Sequence, residues 1–318
     1  MLISVVIPCY RSAKTIEAVV AGAKEEILSR EGNDYQFVLV NDCSPDDTME
    51  VIKKLCEADK KIVAVNLSKN YGQANAQLAA FPYIKGDVAV FMDDDGEHPT
   101  SELYKLVDKI TVDGNDLVFA KFRHKKHGLF KRFTSWLYSK VNVWMGTGIK
   151  GIMTSGFFAM NRMCIDSVKK YKSPFATLSA YLVQITKRIA NVDIEHQHRM
   201  SGKSGYNFAK RFKLWLSCFT NFTIKPLRMA SWFGTICAIL GFGFGIFVAI
   251  RKLVFPEISA GWTSNVALLL FIGGIIMLML GLLGEYVGRI YMTDSNMVQY
   301  NVRETYNEAE QNDSDEER

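Results

Sequence analysis

Val88-Ala89-Val90-Phe91-Met92-Asp93-Asp94-Asp95-Gly96-Glu97-His98-Pro99 is an apolar run that stops abruptly at three consecutive carboxylates. A short apolar run bounded by turn residues reads as a strand buried on both faces, and such a strand delivers its acid groups to one edge of a sheet. Crowded carboxylates repel one another and resist burial unless positive charge is supplied. An oxygen-only donor set favours Mg²⁺ or Mn²⁺ over softer metals, and these ions commonly bridge a diphosphate. The competing reading of the same residues is a solvated acidic loop, or a helix opening at Pro99 and Glu102.

Upstream of this segment, β-branched runs alternate with helical periodicity. Ile3–Ile7 reads as a strand, followed by Ile16, Val19, Val20, Ala23 and Ile27 on one helix face. Phe37–Val40, a helix from about Asp47 to Ala58, Ile62–Leu67 and a helix after Tyr71 continue the pattern, and a helix near Ser101–Val112 follows the acidic segment. Strand and helix repeated in this way predict an α/β fold, a mostly parallel sheet with helices on both faces. Ligands of such sheets bind beyond the carboxyl ends of the strands. Pro8-Cys9-Tyr10, Asn41-Asp42-Cys43-Ser44-Pro45, Ser68-Lys69-Asn70 and Asp93–Asp95 all fall there, so four separated clusters are expected to share one crevice.

The C-terminal third has a different character. Residues 230–250 and 266–283 carry no charged side chain over about the length needed to cross a bilayer as a helix, which predicts two transmembrane helices. Their glycines, Gly241, Gly243, Gly273 and Gly274 among them, suit close helix contact. Met1 to Pro8 is already strand-like, so no secretory signal peptide is expected. Lys210, Arg211, Lys213, Lys225 and Arg228 before the first span and Arg289 after the second predict a cytoplasmic N-terminal domain, against the weaker pull of Arg251 and Lys252. The expected organisation is a catalytic domain over 1–206, an amphipathic interface segment over 207–228, spans at 229–252 and 265–288, and an acidic tail over 289–318 that is disordered from Glu308.

The formal charge is +5, yet residues 303–318 hold two basic and seven acidic groups, leaving +10 on residues 1–302. With membrane spans present, that basic charge suits anionic headgroups or a phosphate substrate, and no nucleic-acid reading motif accompanies it. Two basic, aromatic stretches, Leu129–Met145 and Phe208–Ile224, suit the membrane interface. Six cysteines without C-x-x-C spacing read as reduced packing residues, and His124/His127 and His196/His198 lack companion ligands for zinc. Glu285 and Arg289, four apart, read equally as a mutual helix pair at the interface or as direct acceptor contacts, and Lys203-Ser204 lacks the rest of a phosphate loop.

Taken in order, Val5–Tyr10, Val40–Thr48, Asn70-Tyr71-Gly72-Gln73, Asp93–Pro99, His198-Arg199 with Gly202-Lys203-Ser204, Pro226-Leu227-Arg228 and Gly284–Arg289 resemble the family 2 glycosyltransferases. Within them they are similar to the polyprenyl-phosphate branch that includes dolichol-phosphate mannose synthase. The resemblance runs from about Ile3 to Thr305 and implies a Rossmann-like GT-A domain with a mostly parallel sheet, followed by interface helices and two spans. It further implies transfer of a sugar from a nucleotide diphosphate, UDP favoured, to a polyprenyl phosphate such as undecaprenyl phosphate at the inner membrane, for cell-envelope glycans. By resemblance, Pro8, Tyr10 and Asp42 line the nucleoside pocket, Gln73 lies near the donor, and Asp93 and Asp94 face ribose and sugar. Asp95, with Glu97 assisting, holds Mg²⁺ or Mn²⁺, and Arg123, Lys131, Arg132, Arg199, Lys203 and Ser204 serve the donor and acceptor phosphates. Asp93, Asp95 and Arg199 are the expected catalytic residues, and a homo-oligomer, a tetramer by similarity, is the expected assembly. Relatives often carry Gln at Glu97 and Arg at Phe158. The expected chemistry is a single inverting displacement; a silent membrane scaffold or flippase partner that only binds nucleotide sugar is the alternative.

Overall fold

The computed structural model describes residues 1–122, 149–171, 178–195, 225–254, 262–295 and 298–308. The chain divides into two compact units, one of residues 1–214 with 298–318 and one of residues 215–297. In the first, β1 (Leu2–Cys9), β2 (Asp34–Asn41), β3 (Ile62–Leu67) and β4 (Val88–Phe91) alternate with α1 (Ile16–Leu28), α2 (Thr48–Ala58) and α3 (Gln73–Ala80), as the periodicity predicts. Next come α4 (Leu103–Thr111), β5 (Leu117–Phe122), β6 (Phe158–Asn161), α5 (Arg162–Lys169), α6 (Leu178–Ile185), β7 (Ile189–Ile194) and finally β8 (Val302–Tyr306). The strands form one sheet in the order β7-β5-β6-β4-β1-β2-β3-β8. Neighbours pair in parallel except around β6, which opposes β4 and β5, and β8, which opposes β3.

Each face of the sheet has its own core. Successive strand side chains point to opposite faces, so Ile3, Val5, Ile7 and Cys9 of β1 join one cluster and Val6 the other. The first cluster takes the stripe Ile16, Val19, Val20, Ala23 and Ile27 of α1. In the second, Phe91 stands 5.3 Å from the Phe81 ring and 4.6 Å from that of Phe158. Phe158, where relatives often carry Arg, is therefore a core residue; cutting such a ring to alanine typically costs about 3–5 kcal/mol.

The acidic tail expected over 289–318 is not uniform. Its first residues close a helix ending at Asp294, and Val302–Tyr306 form the edge strand β8. Asn307 then turns with φ 56° and donates from Nδ2 to the carbonyls of Cys56 at 2.6 Å and Ile62 at 3.0 Å, joining the end of α2 to the start of β3.

The second unit contains α7 (Lys225–Val254) and α8 (Trp262–Asp294), of 30 and 33 residues. Among the described residues one segment, Phe271–Asp294, is long and apolar enough to cross a membrane, and Ala230–Phe244 is a shorter apolar segment. Two full spans were expected; among the described residues one segment reaches that length. Phe242, Leu269 and Met277 are each more than 70% exposed, a surface that water does not favour. Arg289 donates from Nε to Glu285 at 2.8 Å, the helix pair that their spacing predicts. Lys225 to Arg228 of the expected interface segment form the first turn of α7; the rest of that segment and Leu129–Met145 lie outside the described residues.

Candidate functional site

The carboxyl ends of β1, β2 and β4 adjoin one another because these strands are parallel neighbours. β1 leads into Tyr10 and Arg11, and β2 into Asp42 and Cys43. Arg11 (φ 58°) and Cys43 (φ 51°) both adopt the left-handed backbone region, unfavourable for a side chain with a Cβ and typical of functional turns. The two turns are tied together by the Asp42 amide donating to the Cys9 carbonyl at 3.0 Å and the Arg11 amide donating to Ser44 Oγ at 3.1 Å.

Asp42 is buried, and its carboxylate accepts the amides of Tyr71 at 2.7 Å and Gly72 at 2.8 Å, one on each oxygen. Gly72, at φ 87°, allows two successive amides to face one acid. Burial raises the Asp42 carboxyl and the two amides hold it back. The acid thus fastens the loop between β3 and α3. Pro8 is buried inside β1 opposite Val40, whereas Tyr10 is 42% exposed, with the Arg11 guanidinium 5.5 Å over its ring.

The three acids after β4 diverge. Asp93 Oδ1 accepts from Gln73 Nε2 at 2.6 Å, which brings two expected donor-side residues together. Asp94 Oδ2 accepts the Tyr10 amide at 2.9 Å, and its carbonyl accepts from Thr15 at 2.6 Å, so this residue binds the chain to itself. Burial pushes the Asp94 carboxyl up to about 6, against the hydrogen bond from the Tyr10 amide and with help from the charges of Asp93 and Asp95. Asp95 Oδ1 accepts the Glu97 amide at 3.0 Å in a tight turn through Gly96.

His98 is a further site residue that the sequence reading passed over. It is buried, with Phe157 and Phe122 stacked against it at 5.0 and 5.6 Å. The Asp93 amide donates to His98 Nδ1 at 2.9 Å, so the ring proton sits on Nε2, 3.6 Å from Asp93 Oδ2. A Cβ at Gly156 would stand 3.3 Å from Asp93 Oδ2, so the segment leading into β6 brings bare backbone against the same acid. A histidine five residues after the first acid, inside a strand-end cluster, is the signal that could have found it.

Among the described residues no three acidic, histidine or cysteine side chains gather into a metal-ligand group. Mg²⁺ and Mn²⁺ on nucleotides typically need one or two carboxylates, the remaining ligands being phosphate oxygens and water. The hard oxygen donors of Asp95 and Glu97, two positions apart in one turn, fit such a partial set. Arg123, Lys131, Arg132, Arg199, Lys203 and Ser204, the expected phosphate ligands, lie outside the described residues.

Residues 4–170 match the family described as "Glycosyl transferase family 2", and residues 225–290 match the "GtrB C-terminal hairpin". The chain is 31% identical over 298 residues to an undecaprenyl-phosphate 4-deoxy-4-formamido-L-arabinose transferase of Enterobacter sp. (strain 638), covering 91% of this chain and 89% of that one. It is 27% identical over 304 residues to an uncharacterized glycosyltransferase of Bacillus subtilis (strain 168), with coverage of 95% and 94%. Its fold is similar to that of a glucosyl-3-phosphoglycerate synthase from Mycobacterium tuberculosis crystallised with Mn²⁺, uridine-diphosphate-glucose and phosphoglyceric acid. There the TM-score is 0.51 at 19% identity, over 69% of this chain and 77% of that one.

Proposed function

Since the chain belongs to glycosyl transferase family 2, we propose that it transfers a sugar from a nucleoside diphosphate, UDP favoured, to the phosphate of a polyprenyl lipid, undecaprenyl phosphate favoured. The observation that carries this reading is the convergence of Tyr10, Gln73 and Asp93–Asp95 at one sheet edge, in a chain that also bears long apolar helices. The name of the 31% identical relative supports the acceptor class.

Tyr10 offers its ring to the base, and Asp93, oriented by Gln73 and His98, faces the donor sugar. Asp95 with Glu97 would hold Mg²⁺ or Mn²⁺, which supplies charge neutralisation to the departing nucleoside diphosphate. A phosphate acceptor is already anionic near neutral pH, so it needs positioning and desolvation more than a strong base. Arg123, Lys131, Arg132, Arg199, Lys203 and Ser204 supply that positioning. A single displacement inverts the anomeric centre, giving a β-linked product from an α-linked donor.

The route of the chain supports two crossings. β8 and β3 are hydrogen-bonded in one sheet, so the residues before and after the helices share a compartment. An odd number of crossings would separate them. A cytoplasmic catalytic unit at the inner membrane and a homo-oligomer complete the reading.

The test is transfer from labelled nucleotide sugars, 4-deoxy-4-formamido-L-arabinose among them, to undecaprenyl phosphate in detergent, with Mn²⁺ and with chelator. Chelator-sensitive label in the organic phase from one donor is the expected result. Nucleotide-sugar binding without transfer from any donor would favour the scaffold reading, and a retained anomeric configuration would sink the single displacement.

A further inference from the structure

Three polar side chains stand in register across β2, β3 and β8: Asn41 opposite Asn66, and Asn66 opposite Glu304. Asn41 and Asn66 are buried, at 3% and 8% exposure, where an unsatisfied amide would be costly. They are satisfied in series. Asn66 Nδ2 donates to Glu304 Oε1 at 2.8 Å, Asn41 Nδ2 donates to Asn66 Oδ1 at 2.8 Å, and the Ser44 amide donates to Asn41 Oδ1 at 3.3 Å. Tyr306 donates its hydroxyl to the other Glu304 oxygen at 2.8 Å. The direction of this chain is set at its far end. A carboxylate only accepts, so Asn66 must turn its nitrogen to Glu304 and its oxygen to Asn41, which fixes Asn41 with its oxygen toward Ser44. Hydrogen bonds from Asn66 and Tyr306 lower the Glu304 carboxyl, keeping it an acceptor.

β8 also fastens the second loop of the crevice. The Ser68 amide donates to the Asn301 carbonyl at 2.9 Å, and Arg303 Nη2 donates to the Ser68 carbonyl at 3.2 Å. Arg303 sits where the β3–β8 register slips between Asn66 and Leu67, a bulge that re-aims a side chain. The loop begun by Ser68 carries the Tyr71 and Gly72 amides that bind Asp42.

We infer that β8 is a positioning element for the donor side of the site: Glu304, acting through Asn66 and Asn41, sets the 41–44 turn, while Asn301 and Arg303 set the 68–72 loop. This rests on the proposed function only in taking the crevice as the donor site. No residue of β8 is assigned contact with substrate.

The test uses the full-length chain carrying Glu304→Ala, Glu304→Gln or Thr305→Ala, the last on the same strand but bonded outward to Glu308. Amide hydrogen exchange over 41–48 and 68–73 is read beside the donor KM and kcat. Removing the carboxylate leaves the Asn66 amide without its acceptor, so Glu304→Ala is expected to raise donor KM about tenfold with kcat within about twofold. Exchange in both loops should quicken, Glu304→Gln should restore most of the loss through its remaining carbonyl, and Thr305→Ala should match wild type. Unchanged exchange in Glu304→Ala, or an equal effect of Thr305→Ala, would overturn the inference. If wild type transfers no sugar while exchange still quickens in Glu304→Ala alone, the positioning role stands and the proposed function falls.

Discussion

The ends of β2 and β4 each offer acid groups to the same sheet edge, but they use them differently. At β2, Asp42 spends both oxygens on backbone amides and is buried. At β4, Asp93, Asp94 and Asp95 point to three partners, Gln73, Tyr10 and the Glu97 amide, and all three remain partly open. The lesson is that an acid at the right end of a strand can build the crevice or face what enters it. Asp42 has both oxygens taken by backbone amides, Asp94 and Asp95 each give one oxygen to an amide, and Asp93 holds the exposed side chain of Gln73, which can exchange for a ligand.

Breaking this contrast begins with Asp95→Asn. If the β4 acids face the reaction, transfer should fall by about a thousandfold with the melting temperature nearly unchanged, since charge stabilisation at a leaving group is among the largest catalytic contributions. Full activity would remove the metal role. Asp42→Asn should show the opposite profile. Its new NH₂ faces an amide that needs an acceptor, so about 2 kcal/mol of stability should be lost in denaturant titration, with donor affinity falling as a consequence.

Gly156→Ala sharpens the contrast without altering any acid. Its Cβ crowds Asp93, so a rate loss of about tenfold is expected while thermal stability holds, since small misplacements at a reacting centre are costly. A wild-type rate would mean that Asp93 tolerates movement. The smallest effect should come from Gln73→Ala, about threefold in donor KM, because one partly exposed hydrogen bond is worth little.

Much of this was legible in the chain. β1 to β4 and α1 to α4 announced themselves because each is continuous or periodic in its own apolar residues, and the clusters at the strand ends followed from parallel order. β6 and β8 were not legible: Phe158–Asn161 is four residues long, and Val302–Tyr306 mixes charge with β-formers in an acidic stretch. What makes β8 a strand is β3, hundreds of residues earlier, and no local pattern carries that. The same holds for Asn41 and Asn66, whose importance lies in partners on other elements. Asp42 was legible as an acid at a strand end, though its backbone partners were not.

The edge strand has a consequence for how the protein is made. Asn66 and Glu304 meet across 238 residues of chain, so during synthesis β3 must wait for its outer neighbour. At about 5–20 residues per second that wait is roughly ten to fifty seconds, long after the inner strands can have paired. Throughout it, one flank of the nascent sheet presents unpaired backbone groups, the kind of edge on which wrong partners add. Both long helices lie between β3 and β8 in the chain, so their synthesis has to be finished before that flank can close, and the sheet is completed only after the second unit has been made.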